Sequence, residues 1–165
     1  MINEYINFIR NLDINGQNNR IKTDDVSNAV KLVWKIHLLH PKKYINDIGN
    51  ITNNKVIFIP DALVFDTNNT DLNWEHMDTE SFISFNIKQS ILKQRQFMTK
   101  MVNKDIDINK SITKYKDFIR LCGESSSSIV PTPCIDLIWH THMLFHDKYI
   151  IETKSLSNGK IIGHN

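Results

Sequence analysis

One sixteen-residue string occurs twice in this chain, and that recurrence limits the folds open to it. Residues 32–47, LVWKIHLLHPKKYIND, align without a gap on residues 137–152, LIWHTHMLFHDKYIIE. Leu32/Leu137, Trp34/Trp139, His37/His142, Leu39/Leu144, Lys43/Lys148, Tyr44/Tyr149 and Ile45/Ile150 are identical. Seven identities in sixteen, with two Trp and two His among them, exceed what helix composition alone gives. On a helix the pattern W-x-x-H-x-L-x-x-x-K-Y places Trp, His and Tyr on one face. Two explanations fit. The strings are two helices with the same packing role, each holding a His among aromatics. Alternatively they are halves of a duplicated unit, paired about a pseudo-twofold axis that brings His37 and His142 together.

The rest of the chain reads as helix with few interruptions. Ile2, Tyr5, Ile6, Ile9 and Leu12 recur at helical spacing. Val26, Ala29, Val30, Val33, Trp34 and His37 do the same from about residue 25, with caps available at residues 23–25. Pro41 has no N–H for the ladder, so it ends that helix and opens a short one to Ile48. KVIFIPDALVF, broken by Pro60, predicts a short extended segment near residues 55–65. Thr79 or Asp78 caps a longer helix through Phe82, Phe85, Ile91, Phe97 and Val102. Ile112, Tyr115, Phe118, Ile119 and Cys122 form the stripe of the next helix, and GESSSSIV is a polar connection suited to cover a site. The expectation is a mostly α fold, a single compact domain over residues 1–165 with about five or six helices and an internal W-x-x-H repeat.

Bulk properties narrow the function. At 165 residues and 41% hydrophobic content the chain buries a core without staples. Two cysteines are too few for a disulfide framework, and the first residues form no secretory leader, so a reduced, cytoplasmic setting is expected. No run approaches roughly 18 apolar residues, so no membrane span is expected. A net charge of +2 without a concentrated basic stripe disfavours nucleic acid; KQRQFMTKMVNK reads as the solvated side of a helix.

Chemistry concentrates in residues 131–145, PTPCIDLIWHTHMLF. Thr132 as N-cap and Pro133 as first helical residue open a helix in the favoured way, with Asp136 in its first turns. Asp136 and His140, four apart, meet side by side, and the carboxylate can fix the imidazole's tautomer. His142 points roughly 200° away from His140, so one helix cannot bring both to one point. Read as one continuous helix, the segment carries two polar stripes, Asp136–His140–Asp147 and Trp139–His142–His146–Tyr149. Each takes a metal only with a donor from elsewhere; His37 and His164 are the outside donors. Against this stands the plainer reading of histidines hydrogen-bonded in a core. H-E-x-x-H, a Gly-rich phosphate loop and a dinucleotide fingerprint are all missing, and Cys134 lacks a nearby His on its own helix.

VPTPCIDLIWHTHMLFHDKY, followed by NGKIIGHN, resembles the glycine-rich domain-containing protein-like family. Its hallmark, P-T-x-x-I-D-L-x-W-H-x-H, then Pro and Tyr, then Gly and a late His, maps onto Pro131, Asp136, Trp139, His140, His142, Tyr149, Gly159 and His164. His146 stands where the family has its Pro. The resemblance singles out Asp136, His140, His142 and His164 as metal-ligand candidates; the cofactor is unknown, a divalent transition metal such as zinc being the candidate. Trp34, His37, Tyr44, Trp139 and Tyr149 form the structural motif. It names no reaction. The two functional expectations are a protein–protein interaction or scaffold module with an unidentified protein partner, and a metal-binding domain, hydrolytic or redox, using Asp136, His140 and His164.

Overall fold

The computed structural model describes residues 1–12, 26–53, 84–102 and 104–164. Among them are seven helices: α1 Ile2–Asn11, α2 Asn28–Leu38, α3 Pro41–Thr52, α4 Ile87–Met101, α5 Ile108–Glu124, α6 Pro133–Met143 and α7 His146–Leu156. The mostly α expectation holds. The extended segment expected near residues 55–65 lies outside the described residues, as do the caps expected at residues 23–25.

Two helix starts differ from the sequence reading. Ser27 caps α2, its Oγ accepting from Val30 N at 3.3 Å. The long helix begins only at Ile87, where Asn86 Oδ1 accepts from Gln89 N at 2.9 Å. The residues before it are held out of the helix. Ser84 donates through N and Oγ to Asp47 Oδ2, at 2.9 and 3.0 Å, and Phe85 lies against the His40 ring with centroids 4.1 Å apart.

The continuous helix expected through residue 149 is broken at Leu144–Phe145, which supplies the extra helix. The first copy has the same break. His40 (φ −120°, ψ 67°) precedes Pro41, and Phe145 (φ −96°, ψ 63°) precedes His146. Both following residues are N1 of the next helix, where a missing N–H costs nothing. Pro41 is therefore a helix-start residue in the first copy, and His146 occupies its place in the second.

The echo extends beyond the two strings. YINFIR on α1 and YKDFIR on α5 match at Tyr, Phe, Ile and Arg, and each packs on the following pair of helices in the same way. Phe8 lies against Trp34 at 5.6 Å between centroids, and Phe118 against Trp139 at 5.0 Å. Trp34 Nε1–H donates to Tyr44 Oη at 3.1 Å, and Trp139 Nε1–H to Tyr149 Oη at 2.9 Å. Tyr5 Oη meets His37 Nδ1 at 2.9 Å, and Tyr115 Oη meets His142 Nδ1 at 2.8 Å. The repeat is thus a three-helix unit, α1–α2–α3 and α5–α6–α7. His37 and His142 do not pair with each other, because each is occupied inside its own unit.

The buried aromatics explain why the units hold together. Tyr5, Trp34 and Tyr149 are fully enclosed, and each polar edge has a partner, so large apolar surface is buried without orphaned donors. His37 completes the pattern. Asp47 Oδ2, 3.2 Å away, can only accept as a carboxylate, so His37 Nε2 carries the proton and Nδ1 accepts from Tyr5. Burial pushes Asp47 upward, yet the hydrogen bonds from His37 and Ser84 outweigh it and hold the carboxyl below its ordinary range.

At the far end of the second unit α5 and α7 touch backbone to backbone. A β-carbon on Gly123 would lie 2.6 Å from Ser157 Cα, and the Gly123 carbonyl accepts from Lys160 Nζ at 2.5 Å. Gly123→Ala must push the helices apart, so we expect a loss of about 1–3 kcal/mol in urea unfolding. An unchanged midpoint would show that the ends do not pack this closely.

Candidate metal site

α6 places Asp136 and His140 one turn apart, and the C-terminal segment brings His164 onto them. The link that carries this segment is Tyr149, whose hydroxyl accepts from Trp139 and donates to the Ile162 carbonyl at 2.5 Å. His164 follows two residues later and lies against the Trp139 ring, centroids 4.8 Å apart.

Three atoms close into a triangle. His164 Nε2 is 2.9 Å from Asp136 Oδ1 and 3.0 Å from His140 Nε2, and His140 Nε2 is 3.4 Å from Asp136 Oδ1. All three side chains are largely shielded, with His140 8% exposed. Neutral imidazoles do not satisfy this triangle. If both Nε2 atoms carry hydrogens toward Asp136, the two N–H groups oppose each other at 3.0 Å. If His140 donates to His164, the lone pair of His164 Nε2 is engaged and its 2.9 Å contact with Asp136 sets acceptor against acceptor. If His164 alone donates, its one hydrogen is shared and the His140 lone pair faces the carboxylate. Each neutral arrangement leaves one short edge unbonded.

The environment of His140 favours its neutral form. Burial pushes it down to about 4, against the opposing pull of Asp136, and His164 and Lys35 push the same way as burial. Phe97 from α4 backs the ring at 4.8 Å. A neutral imidazole offers a lone pair, as a metal ligand must.

His142, grouped with these residues in the sequence, faces elsewhere. Its Nδ1 engages Tyr115, and its Nε2 sits 3.2 Å from Glu152 Oε2 without the alignment of a hydrogen bond. His37 is likewise committed to Tyr5 and Asp47. Of the two stripes expected across residues 136–149, Asp136–His140 and Trp139–His142–Tyr149 stay together, while the break at Leu144–Phe145 takes Asp147 and His146 out of them. His146 instead packs on Tyr44 of the first unit, ring centroids 4.8 Å apart. Tyr5, Tyr115, Asp47 and Glu152 were not singled out by the sequence reading. The Y-x-x-F-I-R echo was the signal for the two tyrosines.

Asp136 and His164 open onto a cleft of about 1070 Å³. Ser125–Ser128, the polar connection noted in the sequence, line it together with Trp139, Lys154 and the segment 159–164; α3 adds Lys42, Ile45 and Asn46.

The sequence model of glycine-rich domain-containing protein-like proteins matches residues 61–151, more than half the chain. The chain belongs to this family. A curated family relative, glycine-rich domain-containing protein 1 of Arabidopsis thaliana, is 25% identical over 168 residues, covering 81% of this chain and 20% of that protein. The chain therefore spans about a fifth of its length. No solved structure gives a significant match. Asp136 and His140 fall within the family match, and His164 lies beyond its end. No helix among the described residues is long and apolar enough to cross a membrane.

Acid should loosen this fold through its buried histidines. Burial lowers His146 from 6.5 to about 4, so the unfolded chain takes up a proton in that interval that the folded chain refuses. Its contribution is full above pH 6.5 and is lost as pH falls to about 4. His40 and His140 act in the same direction, each lowered to about 4, mainly by burial. His146→Pro installs the residue that the first unit carries at this helix start. It should flatten the fall of unfolding free energy with pH by at most about 1.4 kcal/mol per pH unit, one proton's worth. An unaltered slope between pH 6.5 and 4 would contradict the assignment.

Proposed function

We propose that this glycine-rich domain-containing protein-like chain is a metal-binding domain, with Asp136, His140 and His164 as protein ligands to one divalent transition ion. The observation that carries the reading is the closed triangle of donor atoms. Ligands at about 2.1 Å from a common ion are roughly 3.0–3.4 Å from one another in octahedral or tetrahedral sites. The three edges here run from 2.9 to 3.4 Å. A cation at that point gives each of the three facing lone pairs a bond of its own, which no neutral tautomer does.

Two imidazoles and one carboxylate are the donor set of zinc hydrolases and of non-haem iron oxygenases alike. Three protein ligands leave coordination positions open, and Asp136 and His164 face the cleft. The ion would therefore meet solvent or a ligand there and serve as a Lewis acid or redox centre. The interaction-module alternative uses the same residues only to organise the core. It leaves the crowded triangle without an explanation.

Protein purified without an affinity tag or chelator should carry close to one zinc, iron, cobalt or manganese per chain by elemental analysis. His140→Ala and His164→Ala should each abolish it. Chelator should lower the melting temperature of the wild-type chain, with binding worth about 2.7 kcal/mol at a hundredfold excess over Kd, and leave the variants unmoved. A metal-free chain that melts identically with and without added ions contradicts the reading.

A further inference from the structure

The cleft beside the triad has a positive rim. Lys42 from α3 and Lys154 from the last turn of α7 line it, and neither pairs with a carboxylate among the described residues. Lys160, also in the wall, is committed through Nζ to the Gly123 carbonyl. Lys42 runs along Gly163, the residue before the ligand His164. A β-carbon built on Gly163 would sit 3.4 Å from Lys42 Cδ and 3.8 Å from its Nζ. The ammonium is therefore held close to the triad across the boundary between the two three-helix units. Apolar walls come from Trp139, Ile45 and Ile129, and hydroxyl donors from the serine run.

Charge decides what this cleft selects. A divalent ion bound by one carboxylate and two neutral imidazoles keeps a net positive charge, and the ammonium groups of Lys42 and Lys154, which have no carboxylate partner among the described residues, add to it. Low-dielectric walls focus that field onto the cleft. A cation is repelled there, and a neutral ligand leaves the lysines unused. We propose that the cleft binds a small organic anion, a carboxylate or a phosphate ester with a short apolar body. Its oxyanion takes the open metal positions while Lys42 and Lys154 hold its charge. This rests on the metal reading above and adds the class of ligand. It also assigns the first unit a role in the site, since Lys42 belongs to the unit that lacks the ligands.

The test uses the full chain loaded with Co²⁺, whose visible absorption reports its coordination. Inorganic phosphate and, in parallel, acetate are titrated into wild type and into the Lys42→Met/Lys154→Met double variant. A saturable spectral change with either anion is expected in wild type, and the tighter anion shows which oxyanion the cleft prefers. The double variant should bind Co²⁺ as wild type does, yet need about tenfold more anion to reach its midpoint. Co²⁺ uptake with no response to either anion, or equal midpoints in wild type and variant, overturns the anion site and leaves the metal reading standing. Failure of wild type to take up Co²⁺ overturns both.

Discussion

The hydroxyl of Tyr149 is the joint on which the second unit and its candidate site depend. It accepts from Trp139 on α6, belongs to α7, and donates to the carbonyl of Ile162 in the C-terminal segment. Three separate pieces of backbone are thus pinned at one fully buried point. Each such hydrogen bond nets only about 1 kcal/mol, but leaving a buried partner unpaired costs about 1–3 kcal/mol, so the three pieces move together or not at all. The consequence for chemistry is direct. His164 is two residues beyond Ile162, so the bond that closes the core also delivers His164 to Asp136 and His140 on α6.

The likeness of the two three-helix units accounts for much of the remaining architecture. Both units keep the Trp–Tyr hydrogen bond, the Tyr–His contact and an acid near the second His nitrogen, Asp47 in one and Glu152 in the other. They differ at the candidate ligand positions. In register, Lys31 and Lys35 stand in the first unit where Asp136 and His140 stand in the second. Two ammonium groups cannot take the place of a carboxylate and an imidazole as ligands, so the first unit cannot form the same site. It contributes instead from outside, with Lys42 beside Gly163 and Lys35 biasing His140 toward its neutral form. The candidate ligands thus all lie in the second unit and its C-terminal segment.

The sequence disclosed the parts of this arrangement that depend on local spacing. Apolar periodicity placed the stripes of α1, α2 and α5, and Thr132–Pro133 marked the start of α6. Four-residue spacing brought Asp136 to His140, and the 100° step of a helix separated His142 from them. What it concealed depends on tertiary contacts. Nothing in LFHD announces a break, because neither Gly nor Pro is present; only Pro41 in the first copy marks the position. The delayed start of α4 follows from Ser84 bonding to Asp47, a contact between residues far apart in sequence. Between the two outside donors His37 and His164, only the family resemblance favoured His164, since its place beside Asp136 is set by Tyr149 and Ile162 rather than by any helical register.

The most direct test of the central claim is anomalous diffraction from crystals grown with Zn²⁺, recorded above and below the zinc edge. The account predicts one strong anomalous peak at about 2.1 Å from His140 Nε2, His164 Nε2 and Asp136 Oδ1, with further density on its cleft side. No peak at that point, with the three side chains in the same triangle, would show that the triangle is a polar core contact and not a metal site.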